Sequence, residues 1–252
     1  MHREIETIKC LQKYWGKRSH SYSKSNIEEL NNYKGEIWRR IILNNAPKKK
    51  KLKVLDVGTG PGLFAILLAD AGHEVTAVDI SEEMVTHAIK NASDYEVSID
   101  FRIIKGIDIP FKDNSFDLIV SRNVLWNIEK PKDALSEWKR VLNTDGRIVY
   151  FDANWYLYLF DEKQRKSVEY DRKQIENIYG EKYKQTAELE FLENIARNLE
   201  LSKKYRPTWD KEAIGECGFE VVKIDENIGN LVWDEKEKIS YKSTPMFMVV
   251  AR

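Results

Sequence analysis

The chain has 252 residues, of which 42% are hydrophobic and 33% charged, enough to fill the core of one large α/β domain under a soluble surface. Lysine plus arginine equals aspartate plus glutamate, 41 of each, which argues against a global field drawing in nucleic acid or an anionic membrane. The two cysteines, Cys10 and Cys217, lie far apart without metal or redox spacing. No metal is therefore expected, Cys217 is expected to be buried and inert, and the reduced cytoplasm is the expected setting. The start, Met1-His2-Arg3-Glu4, lacks the apolar core of a signal peptide, and the longest apolar run, Leu63 to Ala69, is too short to insert across a bilayer.

Residues 1–46 read as helical. Ile5, Ile8, Leu11, Tyr14 and Trp15 recur at helical spacing, and Ile27, Leu30, Tyr33, Ile37, Trp38, Ile41 and Ile42 do so again. Between the two stripes, Gly16 to Ser23 is expected to form a polar loop with an aromatic at each flank, closing over a ligand. Lys48 to Lys51 is expected to be a solvated linker into the first strand.

In Val54-Leu55-Asp56-Val57-Gly58-Thr59-Gly60-Pro61-Gly62 a short apolar strand ends near an acid, and glycines follow at every second position. Such glycines let the backbone turn sharply and leave no Cβ in the way of a ligand. The apolar run from Leu63 reads as a helix whose N-terminus offers free N–H groups. Strand, glycine turn and helix form the first unit of a nucleotide-binding α/β sheet. The dinucleotide fingerprint G-x-G-x-x-G is not met, because Leu63 stands where its third glycine belongs, and no Gly-Lys-Ser/Thr ending marks a P-loop.

After Gly72, which caps a turn, Glu74 to Asp79 alternates as a buried strand. Its final carboxylate reaches the carboxyl edge of the sheet, where it can accept hydrogen bonds from the vicinal hydroxyls of a ribose. Ser81 is a good N-cap for the next helix, with Glu82 and Glu83 in its first turn. Ile99 to Lys105 reads as a third strand and Leu118 to Ser121 as a fourth. Pro131 opens a helix whose apolar face is Ala134, Leu135, Trp138, Val141 and Leu142. A turn over Arg140 to Arg147 then leads to a fifth strand, Ile148 to Phe151.

The succession acid-x-Gly-x-Gly-x-Gly, Asp79, Asp108, Phe116-Asp117-Leu118-Ile119-Val120-Ser121, Trp126, Arg140-Val141-Leu142 and Asp145-Gly146 resembles the class I S-adenosylmethionine-dependent methyltransferases. Within them it is most similar to the small-molecule branch of quinone and sterol methyltransferases. The resemblance covers roughly Leu52 to Asp152 and the end of the chain. It implies an α/β fold with a Rossmann-like seven-stranded sheet, helices on both faces and an antiparallel last strand. Glu220 to Asp225 and Pro245 to Ala251 would be the late strands, after a short helix capped by Thr208.

S-adenosyl-L-methionine is the implied cofactor and S-adenosyl-L-homocysteine its product. Gly58, Thr59, Gly60 and Gly62 would floor the cofactor loop, with Asp56 bracing it. Asp79 would hold the ribose and Asp108 the adenine amino group, with Ile80, Met84 and Ile107 flanking the ring. Ser121 and Asn123 would lie by the methionine moiety, and Arg18 or Tyr22 would reach its carboxylate.

The acceptor is read from what is missing. The Asn/Asp-Pro-Pro-Tyr/Phe motif of many DNA and protein-glutamine N-methyltransferases is replaced by Ser121-Arg122-Asn123-Val124, and no Pro-Cys nucleophile is present. A metal-dependent catechol-type site is matched poorly. A small molecule of aromatic or apolar character remains, in keeping with Trp126, Trp155, Tyr156 and Tyr158. Candidate catalytic groups are His20, by its ordinary pKa, and Tyr22, Asp152 and Tyr156.

The expected organisation is a helical cap over 1–46, a cofactor-binding domain over 47–152 and 207–252, and a helical insertion over 153–206 that serves as a substrate lid. Helices are expected in the insertion at Glu162 to Tyr179 and Gln185 to Leu201. The chain is expected to act as a monomer or homodimer. Two rivals are kept: a nicotinamide-dependent oxidoreductase on a similar sheet, and a non-catalytic protein that binds S-adenosylmethionine.

Overall fold

Strands buried on both faces alternate between two apolar clusters, and this alternation builds the molecule. In the computed structural model the backbone is described for residues 2–252 and side chains from residue 6, so Met1 to Glu4 and Ile5 lie outside the described side chains. The chain runs α1 (His2–Leu30), α2 (Tyr33–Asn45), β1 (Lys53–Val57), α3 (Leu63–Asp70), β2 (Glu74–Asp79), α4 (Glu82–Asp94), β3 (Asp100–Ile103) and β4 (Phe116–Arg122). It continues with α5 (Pro131–Val141), β5 (Leu142–Asp152), α6 (Glu162–Tyr179), α7 (Ala187–Ala196), α8 (Thr208–Glu216), β6 (Val221–Asp225), α9 (Gly229–Val232), α10 (Glu235–Ser240) and β7 (Phe247–Ala251).

The seven strands lie in the order β3-β2-β1-β4-β5-β7-β6. β7 runs antiparallel to both of its neighbours, and the remaining pairs are parallel. Leu55, Ile119, Ile148, Tyr150 and Val249 face α5 and α8, packing on Trp138 and Ile214. Val54, Leu118, Val120, Val149, Phe151 and Met248 face α2 and α3, packing on Trp38, Ile42 and Phe64. The strand order reverses between β1 and β4, and in open α/β sheets the crevice at the carboxyl ends there is the ligand site.

The N-terminal segment departs from expectation. Gly16 to Ser23 is not a loop but the middle of the 29-residue helix α1. Glycine and serine are poor helix formers, yet here they sit on faces that need small residues. Ser19 and Ser23 are buried, Ser23 accepts a hydrogen bond from Asn91 of α4 at 3.1 Å, and a Cβ on Gly16 would meet the Glu83 carboxylate at 2.7 Å. The chain turns instead at Asn31-Asn32, where the Asn32 side chain caps α2 by accepting from the Lys34 N–H at 2.8 Å.

Smaller corrections follow the same logic of contacts. The turn expected over 140–147 is taken up by the end of α5 and the start of β5, which pairs Leu142 with Phe116 and shifts register before Leu118. Pro207, not Thr208, stands at the N-cap of α8, and its carbonyl accepts the Lys211 N–H at 3.0 Å. Cys217 is only partly buried, its thiol donating to the Lys132 carbonyl at 3.4 Å. Lys48 to Lys51 are exposed as expected, and Lys49 among them reaches Asp117 at 2.7 Å. The segment after β5 carries α6 over the expected residues and a shorter α7.

A third apolar cluster lies away from the sheet. Leu11 and Tyr14 of α1, Trp126 after β4, Tyr156 and Tyr158 after β5, and Leu192, Ile195 and Ala196 of α7 pack together there. No described helix is long and apolar enough to cross a membrane.

Candidate active site

The site starts from the turn after β1. Asp56 is fully buried beneath it and accepts the Thr59 hydroxyl at 2.7 Å and the Ala65 N–H at 3.1 Å. Burial pushes its carboxyl up to about 7, against the pull of those two hydrogen bonds. Gly58 has φ +66°, and a Cβ there would sit 2.2 Å from the Val124 side chain. Gly60 has φ +53°, and its open face looks onto the Tyr22 ring at 3.6 Å. A side chain at either position would be strained, and at Gly58 it would also collide.

Asp79, at the end of β2, is buried and accepts the Gly60 N–H at 2.8 Å and the Ser81 N–H at 2.9 Å. Burial raises its pKa, and the two N–H groups oppose the rise. One carboxylate thus fastens the glycine turn to the start of α4, where Ser81 caps the helix by accepting from the Met84 N–H.

Arg122 and Asn123 close the other wall, at the end of β4. The Arg122 guanidinium is paired with Glu29 of α1 at 2.8 Å and lies 5.3 Å from the centres of the Trp38 and Phe64 rings. Burial works to lower its pKa, but Glu29, together with Tyr22 and Asp56, more than offsets it and keeps the arginine charged. Asn123 takes φ +59°, its N–H donating to the Phe151 carbonyl at 2.8 Å. Its side-chain Oδ1 is buried and takes no hydrogen bond from the described residues, and the same holds for Asn127 Oδ1 and Glu129 Oε2.

These groups surround a cavity of about 400 Å³, within the range for small-ligand sites. Of the residues singled out from sequence, Tyr22, Gly58, Gly60, Asp79, Ile80, Met84, Ile107, Asp108 and Asn123 line it. Arg18, Asp56, Thr59, Gly62 and Ser121 do not. Gly62 packs on Ala88 and Ile66, and Ser121 donates its hydroxyl to the Val57 carbonyl at 2.9 Å. Ile8, Leu11 and Trp15 of α1 also line it, and Gln12 ties α1 down by donating to the Ile80 carbonyl at 2.9 Å.

A second chamber of about 660 Å³ adjoins the first, and the two share Trp15, Tyr22 and Asn123. Its walls include Tyr14, Arg18, Trp126, Trp155, Tyr156, Tyr158 and Arg172. Trp126 and Tyr156 stack with ring centres 4.8 Å apart. Burial pushes the Tyr156 phenol well above its ordinary pKa, so it keeps its proton.

The two other catalytic candidates are elsewhere. His20 is exposed on the face of α1 toward α4, its ring 6.0 Å from that of His87, and lines neither chamber. Asp152 is fully buried and committed, taking the Arg206 guanidinium at 2.7 Å, the Trp126 and Ala153 N–H groups at 3.1 and 2.9 Å, and the Trp155 indole N–H at 3.1 Å. Arg206 also pairs with Asp210 at 2.7 Å, which accepts the Tyr150 hydroxyl at 2.7 Å.

Sequence reasoning passed over Arg122, Glu29, Trp15 and Arg206. Trp15 lay in a recognised helical stripe and Arg122 at the end of a recognised strand. The ion pairs of Arg122 with Glu29 and of Arg206 with Asp152 join residues 93 and 54 positions apart, a separation that leaves no local signal.

Comparison with known proteins agrees with this geometry. Residues 55–150 match the family described as a methyltransferase domain. A demethylmenaquinone methyltransferase of Renibacterium salmoninarum is 36% identical over 112 residues, 44% of this chain and 46% of the relative. One from Staphylococcus aureus (strain MRSA252) is 31% identical over 124 residues, 47% of this chain and 50% of the relative. The chain spans about half the length of the curated relatives it matches.

Among solved structures, a SAM-dependent methyltransferase from Aquifex aeolicus superposes with a TM-score of 0.57 at 19% identity, over 90% of this chain and 96% of that one. Phosphoethanolamine N-methyltransferase 2 of Haemonchus contortus, solved with S-adenosyl-L-methionine, does so with 0.61 at 16% identity, over 88% of this chain and 54% of that one. At such identities the structural likeness speaks for the fold. Residues 55–150 thus match a methyltransferase domain, the fold is the one seen in S-adenosylmethionine-dependent methyltransferases, and over the matched stretch the chain resembles the demethylmenaquinone methyltransferases.

Proposed function

We propose that this chain transfers a methyl group from S-adenosyl-L-methionine to a small-molecule acceptor. The observation that carries the reading is the meeting of two chambers at Trp15, Tyr22 and Asn123, one lined by the glycine turn and Asp79 and the other by aromatic side chains. The residues of the first chamber fit the cofactor. Asp79 offers acceptors for ribose hydroxyls, Asp108 an acceptor for the adenine amino group, and Ile80, Met84 and Ile107 apolar surface for the ring. Buried acceptors without partners, Asn123 Oδ1 and Asn127 Oδ1, suit an ammonium, and Arg122 supplies a cation for a carboxylate.

When bound, the cofactor supplies a methyl group already activated by a positive sulfonium. The protein's part is to align, to exclude water, and to take a proton only from an acceptor that must lose one. Tyr22 is the catalytic candidate that borders both chambers; Tyr156 contributes a protonated phenol to the wall of the second. Residues 1–46 serve as a helical cap that borders both chambers, 153–206 as a lid over the aromatic chamber, and 47–152 with 207–252 as the cofactor-binding domain. A cytoplasmic protein acting as monomer or homodimer, without nucleic acid, completes the reading.

Titration calorimetry with S-adenosylhomocysteine tests it. Micromolar binding that weakens at least tenfold in Asp79→Ala is expected, since a lost hydrogen-bond acceptor is worth about 1–3 kcal/mol. No binding, or binding undiminished in the variant, would overturn the proposal.

A further inference from the structure

The second chamber is aromatic, but its uncommitted charges share one sign. Arg172, from α6, lays its guanidinium 3.7 Å from the centre of the Tyr183 ring and 5.3 Å from that of Tyr158. It has no carboxylate partner among the described residues. Arg18, one turn before Tyr22 on α1, lines the same space, and its side chain forms no ion pair among the described residues. Lys184 lies on the rim in the same condition.

Among the described residues the one acid lining the chamber, Glu181, is held by Lys236 at 2.6 Å, and Glu188 outside it pairs with Lys17 at 2.7 Å. Glu193 keeps its charge, since it accepts only from the neutral Tyr158 hydroxyl at 2.6 Å and a Gln185 N–H at 3.1 Å, but it does not line the chamber. Lys182 is within 3.8 Å of Glu176. An arginine stacked on an aromatic ring keeps its N–H edge open, and that planar fork matches the two oxygens of a carboxylate or phosphate.

We infer that the acceptor is an aromatic molecule carrying an anionic group, a carboxylate or a phosphate, which Arg172 and Arg18 bind while the ring lies against Trp126 and Tyr156. This rests on the proposed methyl transfer and narrows it: a neutral quinone would leave the half-buried Arg172 without a counter-charge. The ring would occupy the part of the chamber that meets Tyr22 and Asn123, and the anionic group the part beneath α6.

Matched probes decide the point. Binding of 1-naphthylacetate, its neutral amide 1-naphthylacetamide, and 1-naphthyl phosphate is measured by calorimetry on the full chain saturated with S-adenosylhomocysteine. At neutral pH at least one anion is expected to bind tenfold or more tighter than the amide, and the tighter of the two names the anionic group. Arg172→Gln should abolish that preference, Arg172→Lys should keep part of it, and neither should change affinity for S-adenosylhomocysteine. Binding of the amide as tight as that of both anions, no binding of any probe, or a preference that survives Arg172→Gln combined with Arg18→Gln would overturn the inference. Failure of the proposed function would instead appear as lost S-adenosylhomocysteine binding in the unaltered protein, so the two outcomes are distinct.

Discussion

The sheet and the aromatic cluster beside it are built differently. In the sheet, aliphatic side chains from β1, β4, β5 and β7 alternate between two sealed faces, and most are fully buried. In the outer cluster Tyr14, Tyr156 and Tyr158 each stay 9% exposed and all three line the chamber. An aromatic phenol can be core on one side and wall on the other. The sheet needs only to be stable, whereas the cluster must hold α1 to α7 and still leave space for a ligand.

Four perturbations would break or sharpen this contrast. The largest effect is expected from Arg206→Met, which strands the buried Asp152 and Asp210 carboxylates on which the Trp126 and Trp155 wall is hung. Breaking a buried pair from one side costs about 3–5 kcal/mol, readable by urea unfolding. An unchanged midpoint would mean that the wall is held by ring packing alone.

Asp56 tests the sheet side through pH. Its carboxyl titrates at about 7 when folded, against an ordinary 3.8, so between those values the folded protein binds more protons than the unfolded chain. Stability from this group therefore falls as pH rises through that window, by up to about 4 kcal/mol, and no further change follows above it. Asp56→Asn should flatten that part of the stability profile. A profile unaltered by the substitution would remove Asp56 as the titrating group.

Leu192→Ala, in α7, is expected to cost about 2 kcal/mol and to speed amide exchange in α6 and α7. Exchange in β1, β4 and β5 should hold; equal acceleration there would make the two regions a single cooperative unit. The smallest effect is expected from Lys17→Ala, which removes an exposed contact between α1 and α7. Exposed pairs contribute little, so the unfolding midpoint should not move, with or without salt.

Much of the fold was legible in the chain, for reasons that differ by element. β1, the glycine turn and α3 are written locally, in a strand, three glycines and an apolar helix within one short stretch. Asp79 and Ser81 were legible because a strand end and a helix cap have positional chemistry of their own. Gly16 to Ser23 misled because propensity says loop, while the contacts that favour helix come from Asn91 and Glu83 of α4. His20 and Asp152 misled because residue type suggests a base, but helix phase turns one away from the cavity and Arg206 occupies the other.

By itself the sequence determined the order of the strands along the chain and the positions of the glycine turn and its acids, since each depends on neighbours within a few residues. Tertiary structure alone decided that α1 is continuous and covers the crevice, that Arg122 is held charged by Glu29, and that Arg206 pins the aromatic wall to the sheet. It alone decided, too, that two chambers meet at Trp15, Tyr22 and Asn123. These features depend on groups distant in sequence whose charges and surfaces come to terms only once the chain has folded.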